Sequence, residues 1–291
     1  MNAPFPLNPT VGERFQSWVW NGSQWVCSPA TGVQVITTVF TASGPYMPSP
    51  GLVSVQIECL GGGGGGGCAV GQATYMGSGG GAGSGGYSRK TLAAALVAGG
   101  VSVTVGAGGL GGIAPGAATA GAATSFGALC VANGGLPGNG VGNGTQGMGD
   151  GGGGGPVTGA IGDVTFQGAA GESGNIVGTP AAGSFEHSAT GGQIFGGNNR
   201  GPNFGAGGIL NGANGHANSG SGGAGGAYNQ TTVDANGGNG GSGLCTVTEY
   251  CWADVVPDDC SANFNVNARV AVTHGGRFPQ PIAGPEGFDD E

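Results

Sequence analysis

Three histidines, His187, His216 and His274, are the first residues to weigh for chemistry. None stands at metal-ligand spacing from another histidine or a cysteine. In "SFEH", Glu186 precedes His187, but neighbours on an extended chain point to opposite sides, which makes a poor acid–base couple. Asp150, Asp163 and Asp234 are isolated, and calcium needs more converging oxygens than any local stretch supplies. The single lysine, Lys90, lies in "YSRKTL", and no Lys-Ser/Thr pair follows a glycine-rich stretch as a phosphate loop requires. Cys27, Cys59, Cys68, Cys130, Cys245, Cys251 and Cys260 are widely spaced and fit no zinc pattern, so most read as small buried hydrophobes. Cys251 and Cys260 bracket a short polar loop that a disulfide would close in an oxidising setting. The expectation is a protein that is not an enzyme and uses neither cofactor nor metal.

Binding is easier to place than catalysis. "FEHS", "IFGGNNRGPNF" and "AYNQTT" each set an aromatic beside amides or hydroxyls, as saccharide or protein recognition uses. The candidates are Phe185, His187, Phe195, Asn198, Asn199, Arg200, Phe204 and Tyr228. The competing reading folds these aromatics inward to pin the loops. A second aromatic group, Trp18, Trp20 and Trp25, flanks Asn21-Gly22 in "SWVWNGSQWVC", a hairpin signal. A two-residue turn sets Trp18 opposite Trp25, and a four-residue turn sets Trp20 there. Either register groups the indoles for packing or attachment, with sugar stacking the lesser use.

The elements that position these residues must be built from an unusual composition. Gly is 74 of 291 residues, aromatics 7% and charged residues 7%. Collagen would need a strict Gly-X-Y period, which is absent. Disordered chains carry more charge and fewer β-branched residues. The net charge of -9 leaves no basic patch for phosphates, so nucleic acid is not expected as a partner. No run of 18 apolar residues predicts a membrane span, and the N-terminus does not read as a secretion signal.

Alternation predicts strands at Val33, Val35 and Thr37, at Val53 to Cys59, at Val101 to Val105 and at Gly243 to Tyr250, where Cys245 and Val247 share a face. These four segments suit a small sandwich. "KTLAAALVAGG" reads as a turn or two of helix, or as an extended edge and a turn. "ANFNVNARVAVTH" predicts a half-buried strand from Phe264 to Val272. Between 106 and 242 the period is three instead: "GGLGGI", "GGAGGA" and "GGNGGS". Polyproline II has three residues per turn and about 3.1 Å rise, with no internal hydrogen bonds. Packed side by side, such chains satisfy one another's backbone, with glycine where neighbours touch and a larger residue pointing out. A central chain needs glycine at every position. Gly61, Gly62, Gly63, Gly64, Gly65, Gly66 and Gly67 fit that place, roughly 20 Å of chain, and Gly151, Gly152 and Gly153 begin a second one that runs to Gly155.

The expected fold class is mostly β and extended, with packed polyglycine II helices, a small β-sandwich and terminal β-hairpin elements. Its domains are residues 1–32, an aromatic attachment hairpin; 33–250, the glycine-rich domain; and 251–291, a strand and acidic, proline-containing tail.

Several of these blocks, taken in order, resemble the glycine-rich domain of bacteriophage tail and fibre proteins. They are "FTASGPYMPSPGLVSVQIECLGGGGGGG", "GGYSRKTL", "VSVTVGAGGLGG", "AATSFGALCVANGG" and "GGSGLCTVTEY", spanning roughly residues 38 to 250. "VGERFQSWVWNGSQWV" is similar to a short module near phage fibre N-termini. The resemblance implies a virion protein, often a receptor-binding adhesin, with specificity in loops at the distal tip. It implies other virion proteins and a bacterial surface polysaccharide or outer-membrane protein as partners, and by analogy a homo-oligomer such as a trimer. A structural or decoration protein of the tail or capsid is the alternative. The cysteines and the segment from Cys251 to Glu291 have no counterpart in that resemblance.

Overall fold

The computed structural model describes residues 10, 14–15, 18–20, 23, 25–27, 30–142, 146–177, 185–187, 189–192 and 208–255. The chain divides into two compact units, Thr31–Ala253 and a second drawn from Met1–Ala30 and Asp254–Glu291. In the latter, β1 (Arg14–Phe15), β2 (Trp18–Trp20) and β3 (Trp25–Cys27) form an antiparallel sheet in that order. Trp20 pairs with Trp25 and Trp18 with Cys27, the register of the four-residue connection. Cys260 and the strand expected from Phe264 to Val272 lie outside the described residues.

The larger unit begins with β4 (Ala30–Phe40), β5 (Gly44–Tyr46), β6 (Leu52–Leu60), β7 (Gln72–Ser78) and β8 (Tyr87–Ala93). A 3-10 turn, Ala94–Leu96, and β9 (Val101–Thr104) follow. Thus "RKT" is strand and "AAL" a single helical turn, a blend of the two expectations. Next come β10 (Thr124–Phe126), β11 (Cys130–Ala132), β12 (Gly147–Met148), β13 (Val164–Phe166), β14 (Asn175–Val177) and β15 (Phe185–His187). The last strands are β16 (Ile209–Leu210), β17 (Ala227–Thr231) and β18 (Leu244–Val255).

Two sheets share one apolar core. One runs β13-β8-β6-β18-β4, the other β11-β10-β9-β5. Alternation on β6 buries Val55, Ile57 and Cys59, and on β18 Cys245 and Val247. Tyr46, Val103, Phe126, Cys130 and Ala132 join them from the second sheet. The Tyr46 and Phe126 rings meet at 5.1 Å, tilted by 56°. Each large side chain buried this way contributes about 1.5–3 kcal/mol. Strand β4 takes the sheet edge, and there the expected apolar face is turned out: Val33, Val35 and Val39 are 61%, 55% and 55% exposed. A further sheet, β12-β7-β17-β16, and the pair β14-β15 lie among the glycine-rich segments.

The run Gly61–Gly67 continues directly from β6, every residue buried. Its partners rotate with a period of three. Gly61, Gly64 and Gly67 donate to the carbonyls of Gly86, Gly83 and Gly80. Gly62 and Gly65 donate to Ala122 and Thr119, and Gly63 and Gly66 to Gly241 and Gly238. The carbonyls rotate likewise. Gly62 and Gly65 accept from Gly135 and Gly138, Gly63 and Gly66 from Gly109 and Gly112, and Gly64 and Gly67 from Gly223 and Gly226. Hence three segments run against this one and three run with it. Buried backbone groups must be paired, and here other segments pair them on all sides. Side chains are what the geometry excludes. A Cβ on Gly62 would lie 2.2 Å from the Ala107 carbonyl oxygen, and on Gly66 1.9 Å from that of Ala224.

Two more buried segments lie against it, 79–86 and 220–226. Gly79, Ala82 and Gly85 donate to Gly226, Gly223 and Gly220, while Gly80, Gly83 and Gly86 donate to Asn139, Leu136 and Asn133. The requirement for glycine at every central position needs correcting here. Ala82, Ser84, Ser221 and Ala224 are all buried at 0% exposure. Ser84 fits because its Oγ joins the bonding, accepting from the Ala169 amide at 2.8 Å. Gly151–Gly155 also differs from expectation. Gly152 and Gly155 donate to Gly81 and Ser84, but Gly151 and Gly153 are half-exposed, so this segment flanks the centre.

Candidate functional site

At the rim of the array, side chains replace the missing neighbours. The Asn211 Oδ1 accepts from the Asn236 amide and the Asn214 Oδ1 from the Asn239 amide, both at 2.8 Å. In turn the Asn239 Oδ1 accepts from Gly111 at 2.8 Å and the Asn236 Oδ1 from Ala114 at 3.1 Å. The same segment also uses a hydroxyl, the Leu110 amide donating to Thr119 Oγ1 at 2.8 Å, while the Gly106 amide donates to the buried Thr124 Oγ1 at 2.9 Å. A short side-chain oxygen reaches where a carbonyl of one more chain would sit, so edge amides are satisfied. The third position of "GGLGGI" points outward, leaving Leu110 and Ile113 64% and 73% exposed. In "GGAGGA", by contrast, Ala224 and Ala227 are buried because that segment is central.

The loop candidates divide. Phe185 and His187 lie on β15, paired with Val177 and Asn175 on β14. Phe195, Asn198, Asn199, Arg200 and Phe204 lie outside the described residues. Tyr228 is a correction: it sits on β17 at 0% exposure, in a small cluster with Ala69, Val141 and Ala235. Its ring packs 2.3 Å from where a Gly77 Cβ would be, so it is turned inward against β7.

The isolated acids serve the backbone. Asp234 Oδ1 accepts from the Gly71 amide at 2.8 Å, and Asp163 Oδ2 from Thr91 at 2.9 Å. Among the described residues no group of three or more His, Cys, Asp or Glu side chains is arranged to hold a metal ion. Cys59, Cys68, Cys130, Cys245 and Cys251 are buried free thiols. Cys59 and Cys245 face each other in register with their sulfurs 3.7 Å apart. Contact with Cys130 and with Cys245, then burial, push the Cys59 thiol far above its ordinary range.

Sequence reasoning missed Glu249, which continues the inward face of Cys245 and Val247 and is 4% exposed. Its Oε1 accepts from the Tyr46 hydroxyl at 2.6 Å and the Ser49 amide at 2.9 Å, and its Oε2 from Ser49 Oγ at 2.6 Å. The signal was parity: a carboxylate at an inward strand position must find donors. Burial, then the Glu249 contact, hold the Tyr46 hydroxyl well above its ordinary value. The asparagine rim had a signal too, since Asn211 and Asn214, and Asn236 and Asn239, each recur three residues apart.

Among the described residues no helix is long and apolar enough to cross a membrane. Compared with known families, residues 40–250 match the model of a glycine-rich domain. No curated protein matches the chain significantly.

Proposed function

The chain belongs to the glycine-rich domain family, and from that premise we propose that it is a bacteriophage virion structural protein. In this reading it is a tail-fibre or spike-tip adhesin that recognises the bacterial surface. The array is a polyglycine II lattice, capped by a small sandwich of the two sheets that share the apolar core. The observation that carries the reading is Gly61–Gly67, buried and bonded to neighbouring segments on every side. Such a lattice gives rigidity from main chain alone, which frees the connections at its ends to vary with the receptor. Ordering so much glycine is entropically expensive, and a flexible tether would not need it. The blocks that resemble phage tail and fibre proteins supply the virion setting. Purified protein, fluorescently labelled, should adsorb to intact host bacteria and block infection. If it does neither, and particles lacking it bind cells equally well, the adhesin reading fails.

A second reading, a non-receptor-binding structural or decoration protein, draws on the exposed apolar side chains of Val33, Val35, Val39 and Trp252, the last 54% exposed. These would pack against other virion proteins or further copies of the chain. A map of the particle with this chain buried in a collar, beside wild-type adsorption without it, favours that reading.

A further inference from the structure

The outer face of the five-stranded sheet carries a slot where it meets the glycine array. Registers across β13, β8, β6 and β18 set two rows side by side. Phe166, Tyr87, Leu60 and Leu244 form one row, and Val164, Arg89, Glu58 and Thr246 the other. Between Tyr87 and Leu244, over Leu60, lies a hollow of about 310 Å³ lined by Glu58, Leu60, Tyr87, Leu244 and Thr246. That volume is at the lower end of the roughly 300–1,000 Å³ typical of ligand sites, so it suits a ligand of about one ring.

The exposed lining is almost wholly apolar, with a narrow polar edge. Tyr87 forms an aromatic wall backed by Phe166, the rings stacked at 25° with centroids 6.1 Å apart. Phe166 is 61% exposed on the far side of Tyr87. The floor and opposite wall are leucine. One end is polar: the Tyr87 hydroxyl donates to Glu58 Oε1 in a short hydrogen bond. Burial, then Glu58, hold the Tyr87 hydroxyl well above its ordinary range, so it remains a donor. Glu58 Oε2 and the Thr246 hydroxyl have no hydrogen-bond partner among the described residues, and Glu58 is half-buried.

We propose that this slot binds one pyranose ring of a neutral saccharide. The C–H face of the ring stacks on Tyr87 and rests on Leu60, while its hydroxyls donate to Glu58 Oε2 and bond to Thr246. A purely apolar ligand would strand a half-buried carboxylate oxygen. An anionic ligand would meet the Glu58 charge, and Arg89, opposite Glu58 in register, does not line the hollow. A pyranose offers both a flat C–H face and donors at its edge, the pairing that an aromatic beside a free acceptor accommodates. The site lies on the sheet and not in the loops named above. It deepens the attachment reading by giving a ligand class, and its biological use rests on that reading.

The test is saturation-transfer NMR on the full chain with methyl α-glucopyranoside, methyl α-galactopyranoside and methyl α-mannopyranoside in turn. Transfer to ring C–H protons of at least one is expected, with affinity falling about tenfold in Glu58→Gln, which keeps the side chain's shape. Tyr87→Leu should abolish transfer, and if that variant does not fold, Glu58→Gln and Thr246→Val carry the test alone. No transfer to any of the three, or transfer unchanged in Glu58→Gln and Thr246→Val, overturns the slot. Cell adsorption by the same proteins separates the two readings. Adsorption without pyranoside transfer overturns the slot and leaves attachment standing, whereas transfer with neither adsorption nor blocked infection, and with particles lacking the chain binding cells equally well, supports the slot and overturns attachment.

Discussion

Replacing Gly64 by alanine tests the array at its centre. The new Cβ would sit 2.3 Å from the Leu136 carbonyl oxygen, 2.6 Å from its carbon and 3.1 Å from the Gly135 oxygen. All three are backbone atoms, so no rotamer relieves the contact. To reach ordinary separation the segment must retreat by about 1 Å, which takes a hydrogen bond out of range. Two bonds tie that segment to the run Gly61–Gly67, Gly135 to the Gly62 oxygen at 2.8 Å and Gly138 to the Gly65 oxygen at 3.0 Å, and three tie it to 79–86, from Gly80, Gly83 and Gly86 to the Asn139, Leu136 and Asn133 oxygens at 2.9, 3.0 and 2.8 Å. Leaving a buried backbone group unpaired costs about 1–3 kcal/mol, so loss of the two bonds to Gly61–Gly67 should cost the variant about 2–6 kcal/mol. Gly99, with nothing within 4 Å of its Cβ position, is the control. Gly99→Ala should be neutral or gain about 0.4–1 kcal/mol. Denaturant unfolding gives both numbers, and amide exchange localises the loss to Gly61–Gly67 and its neighbours. If Gly64→Ala falls within 1 kcal/mol of Gly99→Ala (about the margin of one hydrogen bond), the lateral bonding does not hold this fold together.

The rim should be far more forgiving. Asn239→Ala removes the acceptor of the Gly111 amide, but water can replace it, so unfolding should register only about 0.5–1.5 kcal/mol. Glu249→Gln turns an amide donor toward converging donors in a buried site, and chemical denaturation should show a loss of about 2–4 kcal/mol. The raised Tyr46 pKa has a definite sign. Tyrosine in the unfolded chain ionises first, near its ordinary value of 10.0, so this share of stability is complete below pH 10 and is lost as pH rises further. Tyr46→Phe should flatten that part of the pH–stability curve, and an unchanged curve refutes the assignment. Native protein treated with iodoacetamide at pH 8 should leave Cys59, Cys130 and Cys245 unmodified by mass spectrometry, while urea-unfolded protein reacts.

What the sequence disclosed depended on whether a residue's environment is local. The alternation of Val55, Ile57 and Cys59, and of Cys245 and Val247, states which side faces the core, and those side chains are buried. Val33 and Val35 carry the same pattern yet are exposed, because edge position is set by which strand pairs with which, a long-range property. The triplet period behaved the same way. It locates Leu110 and Ile113 outside, but "GGAGGA" has an identical pattern and is buried, since the six neighbours that define a centre come from distant parts of the chain. Tyr228 misleads for a related reason: an aromatic next to Asn229 and Gln230 looks like a recognition loop until β7 closes over it.

These differences bear on how such a protein can evolve a surface. In a conventional domain the core constrains side chains, and changing a surface residue leaves its backbone pairing untouched. Here the interior constrains the absence of side chains, and the edge amides depend on surface side chains to be satisfied. Asn239 both donates its amide to Asn214 and accepts from Gly111, so one exposed residue closes two chains. Free variation is therefore confined to outward third positions whose side chains accept no hydrogen bond, such as Leu110 and Ile113, and to connections beyond the last lateral bond. A library randomised at Leu110 and Ile113 should retain folding in most members, whereas one randomised at Asn211, Asn214, Asn236 and Asn239 should return Asn, Asp, Ser or Thr, the residues whose short oxygen reaches a neighbouring amide. Recovery of alanine or leucine at all four rim positions in stable members would show that water alone closes the edge.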